Sequence, residues 1–229
     1  MRDICSDLIL YHDPDLFSCL HLPLSIGIVG ESASGKSTIT HDFIEVLNKH
    51  GISTTRINTD DYYYDHSKEV ILAGSFANWA KDKDLDTPDA MELSLMKKHI
   101  KELKHGNSVW LPKYDMSGTA IRIDEAIYAE PSDIIISEGL FTMSVKDAFD
   151  IKIYVDIPKD MQKDRWYKRA VERNLGSSMD ILYNNADKRA NEYIRPYKSI
   201  CDVIISGAGP RPKYKDLMER LLKRLTITV

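Results

Sequence analysis

The sequence predicts an α/β fold, a parallel sheet flanked by helices. Short apolar, β-branched runs alternate with amphipathic stretches along the chain, and a glycine-rich loop sits between the first such run and the first helical pattern. Apolar residues are 43% of the 229 positions and charged residues 29%, which suits one domain with a sizeable buried core and excludes disorder as the default state.

Residues 1–22 carry Leu8, Leu10, Leu16, Phe17 and Leu20, an apolar set expected to dock on the domain as a short helical extension; residues 23–229 read as a single domain. Leu24 to Val29 is the first strand, ending in glycine. Thr38 to Asn48 then places Ile39, Phe43, Ile44 and Leu47 at helical spacing. Ile52 to Ile57 reads as a second strand. Between Asp65 and Asp86 periodicity disappears, and the stretch is expected to be a mobile or functional loop. Thr87-Pro88 stands ahead of Leu93, Met96, Ile100 and Leu103, the signature of a capped helix stopping near Gly106. Ile134-Ile135-Ile136, Ile151 to Val155 and Asp202 to Ile205 are continuous apolar runs of the kind that parallel strands need when both sheet faces are covered. A last helix is expected over Tyr214 to Leu225.

Charge and cysteine content narrow the partners. With 31 basic against 35 acidic residues the net charge is −4, so there is no global attraction to nucleic acid or anionic lipid. Cys5, Cys19 and Cys201 form neither a metal-type pair nor an even disulfide set, which points to a reducing compartment. The most apolar run is too short to span a bilayer, and Met1-Arg2-Asp3 lacks the start of a signal peptide, so a cytoplasmic protein with neither nucleic acid nor membrane as partner is expected.

The chemistry begins at Gly30-Glu31-Ser32-Ala33-Ser34-Gly35-Lys36-Ser37, which fits G-x-x-x-x-G-K-[ST] between a predicted strand and a predicted helix. Such a loop turns successive N–H groups toward phosphate oxygens at a helix N-terminus, so Gly30 to Thr38 are the candidate nucleotide-binding residues, with ATP as the expected nucleotide. Lys36 supplies a charge for the β- and γ-phosphates, and Ser37 a hydroxyl for Mg²⁺. A second metal-side group is Glu138, the carboxylate closing the strand Ile134-Ile135-Ile136-Ser137; its alternative reading is a helix cap.

The acceptor side needs a carboxylate able to take a hydroxyl proton. Asn58-Thr59-Asp60-Asp61-Tyr62-Tyr63-Tyr64 follows the second strand and so falls on the same sheet edge as the loop. The acidic pair could also cap a turn, and the tyrosines could simply pack. Arg165, Arg169 and Arg173, four apart on one helical face, read either as a phosphate-covering lid or as a solvated stripe.

These segments together resemble the uridine kinase branch of the uridine kinase, phosphoribulokinase and pantothenate kinase family. The resemblance runs from Leu24 to Gly209 and adds Asp86-Thr87-Pro88-Asp89-Ala90, Pro112-Lys113-Tyr114-Asp115, Glu138-Gly139 and Ile194-Arg195-Pro196 to the motifs above. It implies a P-loop NTPase fold whose five-stranded parallel sheet has the order 2-3-1-4-5, with helices on both faces, a helical lid over about 158–195, and homo-oligomers as a common state. It further implies Asp60 as the catalytic base, Asp86 on ribose hydroxyls, Tyr63 and Tyr114 in the nucleoside pocket, Ser37 and Glu138 at the metal, and Arg169 and Arg173 on the lid.

Three departures bear on the acceptor. After Tyr114-Asp115 the chain continues Met116-Ser117-Gly118-Thr119-Ala120, without the histidine that reads a pyrimidine in uridine kinases. Leu85 stands where an aromatic residue stacks on the base, and Asn174-Leu175-Gly176 lacks the arginine-rich lid pattern. The expectation is therefore an ATP- and Mg²⁺-dependent kinase of a small-molecule hydroxyl, foremost the 5′-hydroxyl of a nucleoside. Pantothenate, a sugar or a sugar phosphate is the alternative acceptor, read by Arg122 and the 66–86 stretch. A nucleotide-binding regulator without kinase activity is the other class; a GTPase is disfavoured because no N-K-x-D guanine reader occurs.

Overall fold

The computed structural model describes residues 9–11, 21–80, 83–172 and 179–225. Strands β1 (Ile9–Tyr11) and β2 (Leu24–Gly30) are followed by helix α1 (Lys36–Lys49), strand β3 (Thr54–Asn58), helices α2 (Ser67–Leu72), α3 (Phe76–Ala80) and α4 (Leu93–Lys104), and strands β4 (Val109–Tyr114), β5 (Arg122–Ala129), β6 (Ile134–Gly139) and β7 (Ile151–Asp156). Helices α5 (Lys159–Glu172) and α6 (Met179–Arg189), strand β8 (Val203–Ser206) and helix α7 (Arg211–Leu225) complete the described elements.

The main sheet has the order β1-β8-β7-β2-β6-β3. Five of its strands, β3, β6, β2, β7 and β8, run parallel and have the expected order 2-3-1-4-5 when numbered along the chain. The apolar runs of β6, β7 and β8 follow from cover on both faces. Ile134 and Ile136 of β6 pack with Ile39 and Phe43 of α1 and Leu217 of α7, whereas Ile135 between them packs with Met96 and Ile100 of α4. Alternate residues of one strand thus serve two cores, and no position is left for a polar face. No described helix is long and apolar enough to cross a membrane.

Three elements differ from the sequence expectations. Residues 9–11 of the N-terminal extension form a strand, β1, antiparallel to β8, instead of a helix; residues 1–8 and 12–20 lie outside the described set. The 65–86 stretch contains α2 and α3, too short for a helical period to emerge, and they close a small apolar cluster of Val70, Trp79, Tyr114 and Ala120. Strands β4 and β5 form a separate antiparallel hairpin that reading by apolar runs missed, since β5 keeps only Ala129 buried.

Candidate active site

The site lies at the C-terminal ends of β2, β3 and β6, where ligands of parallel α/β sheets bind. Gly35 takes a φ of 103°, a left-handed conformation that favours glycine, and it turns the loop into α1. The Lys36 ammonium folds back and donates to the carbonyls of Gly30 (3.0 Å) and Glu31 (2.9 Å). Burial pushes its pKa down, while Glu138 and Asp60 hold it up. Ser37 donates to Glu138 Oε2 at 3.0 Å, so the two expected metal-side residues meet. The other Glu138 oxygen is paired with Arg56 of β3.

Gly139 explains how the acidic segment reaches this point. A Cβ at Gly139 would stand 2.4 Å from Thr59 Cβ, so only glycine lets the turn Thr59–Tyr62 close on the end of β6. That approach resolves the acidic pair. Asp61 is buried and structural: it accepts from Lys113 Nζ (3.0 Å) and from the Tyr114 N–H (3.2 Å), tying β4 to the turn. Asp60 is half-buried and lies within electrostatic reach of Lys36, Glu138 and Arg169. Burial raises its carboxyl pKa, Glu138 and Asp61 raise it further, and Lys36 and Arg169 oppose the rise.

The three tyrosines separate as well. Tyr62 is buried, with its hydroxyl 3.0 Å from His99 Nδ1. Tyr63 donates to the Leu85 carbonyl (3.2 Å), and its ring lies 5.2 Å from that of Tyr114; Tyr64 is exposed. Tyr63, Tyr114 and Asp86 line one cavity of about 630 Å³, together with Phe76 of α3 and Asn185 of α6. The Asp86 carboxyl is raised by burial and by the charge of Asp60. A second cavity, about 560 Å³, is lined by Ala33, Lys36, Ser37 and Thr38 of the loop, by Arg169 of α5 and by Tyr214 of α7.

Arg122 is not where the sequence expectation put it. Its guanidinium, 10% exposed, donates to Glu92 (2.9 Å), Asp124 (2.7 Å) and the Tyr63 carbonyl (3.3 Å), and it does not line the 630 Å³ cavity. Two carboxylates claim it, so it fastens β5 to Tyr63 on the wall of that cavity from outside. Of the lid arginines, Arg169 lines the 560 Å³ cavity, Arg165 donates to the Gly207 carbonyl (2.9 Å), and Arg173 lies outside the described residues.

Two residues joining the lid to the loop escaped the sequence reading. Arg195 grips both oxygens of Glu31 through Nε and Nη2, each at 2.9 Å. Gln162 of α5, 4% exposed, donates to the Ser32 carbonyl (2.9 Å) and accepts from the Tyr183 hydroxyl (3.0 Å). Arg195 stood in the Ile194-Arg195-Pro196 motif without an assigned role, and a lone glutamine among the charges of α5 was the only trace of the second contact.

Comparison with known proteins bears on the family and the fold. Residues 25–211 match the family described as the phosphoribulokinase / uridine kinase family. The chain is 31% identical over 214 residues to the uridine kinase of Lactobacillus helveticus (strain DPC 4571), covering 89% of this chain and 96% of that protein. It is 30% identical over 206 residues to the uridine kinase of Staphylococcus haemolyticus (strain JCSC1435), covering 87% and 95%. Among solved structures, the phosphoribulokinase from Rhodobacter spheroides shares the fold with a TM-score of 0.60 at 15% identity, over 82% of this chain and 73% of that one. A possible uridine kinase from Bacillus stearothermophilus gives 0.51 at 22%, over 80% and 88%.

Proposed function

Because the chain belongs to the phosphoribulokinase / uridine kinase family, and is thus an ATP-dependent phosphotransferase, we propose that it transfers the γ-phosphoryl of ATP to the 5′-hydroxyl of a nucleoside such as uridine or cytidine, acting in the cytoplasm. The observation that carries the reading is the convergence of Lys36, Ser37, Glu138 and Asp60 at one end of the sheet, beside a cavity that Asp86, Tyr63 and Tyr114 line.

In this reading Asp60 orients the acceptor hydroxyl and takes its proton as the oxygen attacks phosphorus. Its raised pKa brings it nearer the working pH, where proton acceptance and ionisation are better balanced. Lys36 exchanges its two loop carbonyls for phosphate oxygens, whose charge makes the stronger, charge-assisted contact. Arg169, on the wall of the 560 Å³ cavity, adds positive charge from α5. Asp86 accepts from ribose hydroxyls, and Tyr63 and Tyr114 face the base.

The donor set fits Mg²⁺, since Ser37 Oγ and Glu138 Oε2 are hard oxygens 3.0 Å apart, and these two residues would hold it. When bound, the ion would neutralise charge developing on the transferring group.

A second reading, an anionic acceptor such as pantothenate or a pentose phosphate, draws on Lys83 and Lys188 of the 630 Å³ cavity, whose wall also carries Asp84, Asp86 and Asp115. The test is ADP release from purified protein with ATP and Mg²⁺ against uridine, cytidine, other nucleosides, pantothenate and pentose phosphates. Stimulation by uridine or cytidine supports the first reading. Stimulation by an anionic acceptor alone replaces it with the second.

A further inference from the structure

Uridine and cytidine differ from sugars in carrying a flat ring, and a pocket that selects them needs an apolar face for it. The chain has leucine at position 85, and the Leu85 carbonyl is already occupied by the Tyr63 hydroxyl. A further aromatic face, beside those of Tyr63 and Tyr114, comes from the stretch where the sequence showed no period. Among the described phenylalanines, Phe43, Phe141 and Phe149 are buried in the two main cores, whereas Phe76 is half-buried and lines the 630 Å³ cavity.

Phe76 is held in place from behind. Ser75 receives the Asn78 N–H at its hydroxyl and the Trp79 N–H at its carbonyl, both at 3.1 Å, and the Asn78 amide donates to the Ala73 carbonyl at 3.1 Å. Trp79, 9% exposed, fills the space inside the small cluster, with its ring 5.5 Å from Phe76 on one side and 4.9 Å from His66 on the other. The hairpin turn backs the Phe76 Cβ closely, since a Cβ at Gly118 would stand 3.7 Å from it. With Trp79 occupying the interior, Phe76 cannot sink into the cluster, so part of its surface stays on the cavity wall that Tyr63 and Tyr114 also build.

Resting on the nucleoside reading above, we propose that Phe76, beside Tyr63 and Tyr114, is a surface on which the acceptor's base stacks, and thus a determinant of specificity for ring-bearing acceptors. A core role alone would bury the ring as Trp79 is buried. An acceptor without a flat ring would make no use of it.

The experiment compares wild type with Phe76→Leu and Phe76→Trp. Leucine keeps most of the volume and removes the π-face; tryptophan keeps the face. Uridine and cytidine KM, ATP KM and kcat are measured for each, with thermal unfolding as a check on folding. The expected result for Phe76→Leu is a rise in acceptor KM of roughly tenfold, within the range that stacked aromatic residues give, with ATP KM within about twofold of wild type. Phe76→Trp should hold the acceptor KM within about threefold of wild type. An unchanged acceptor KM in Phe76→Leu, or equal losses in the leucine and tryptophan variants, overturns the proposal while leaving the nucleoside reading intact. Wild-type turnover of anionic acceptors but of no nucleoside overturns the reading first, before any variant is made, and the stacking role falls with it.

Discussion

Asp60→Asn isolates the proposed proton-accepting role from everything else the side chain does. The amide has nearly the shape of the carboxylate, and the turn itself is held by the Asp60 N–H on Asn58 Oδ1 (3.2 Å), a contact the substitution leaves alone. A positioned general base contributes about 10²–10⁴ in rate, so kcat should fall by that factor, about 3–5 kcal/mol of barrier, with ATP KM within about twofold. The same substitution should stabilise the fold. Burial and the neighbouring Glu138 raise the Asp60 pKa, so the folded chain binds this proton more tightly than the unfolded chain does. Its contribution to stability is therefore complete below the ordinary carboxylate range and lost as pH rises through the raised value. At neutral pH the buried charge is a cost, and its removal should return about 1 kcal/mol, or 2–4 °C in Tm for a domain of about this size. Asp61→Asn is the control: it loses the ion pair to a half-exposed Lys113, worth at most about 1 kcal/mol, and should keep kcat within about tenfold. ADP release at saturating ATP and calorimetric unfolding read both effects. A kcat for Asp60→Asn within tenfold of wild type, or an equal loss in Asp61→Asn, would refute the assignment.

The acid limb of kcat/KM should lie above the ordinary aspartate value of 3.8, and Asp61→Asn should move it down, since one like charge beside Asp60 is gone; an immobile limb would separate it from Asp60. Arg195→Lys keeps the charge but loses the two-pronged grip on Glu31, and should raise ATP KM several-fold. Combining it with Glu31→Gln should add little, whereas additive losses would show that the pair does not act as a unit. Ser37→Ala should raise the Mg²⁺ concentration for half-maximal activity with little change in Tm, checked by metal titration. Arg122→Gln should cost about 2–3 kcal/mol in urea unfolding, less than a fully enclosed pair because its partners are partly exposed, and should leave ATP KM unchanged.

What could be read from the sequence was what is encoded locally. The loop Gly30 to Ser37 needs only its own glycines and the flanking strand and helix, and the apolar runs of β6, β7 and β8 announce strands covered on both faces without knowledge of what covers them. Contacts between distant segments were hidden. Nothing near Asp61 in sequence says that Lys113 and Tyr114 will claim it, so the residues alone did not separate the acidic pair, and only the family resemblance pointed to Asp60. Arg122 looked like an acceptor reader for the same reason, since Glu92 is 30 residues away. The hairpin β4–β5 was missed because Pro112 breaks its first strand's pattern, and β5 alternates little. Phe76 was invisible because five residues are too few to display a period.

The short strand β1 has an effect on the behaviour of the molecule in crowded solution. Ile9, Leu10 and Tyr11 pair antiparallel with Ile205, Ile204 and Val203, so the four-residue strand β8 does not offer a free margin to other chains. Among the described residues the margin then passes to the three of β1 alone, too few to recruit a further strand firmly. The leading segment acts in this way as a guard against self-association. A chain trimmed ahead of His21 would present β8 directly, and its tendency to form aggregates should then rise with concentration even where its catalytic end is untouched.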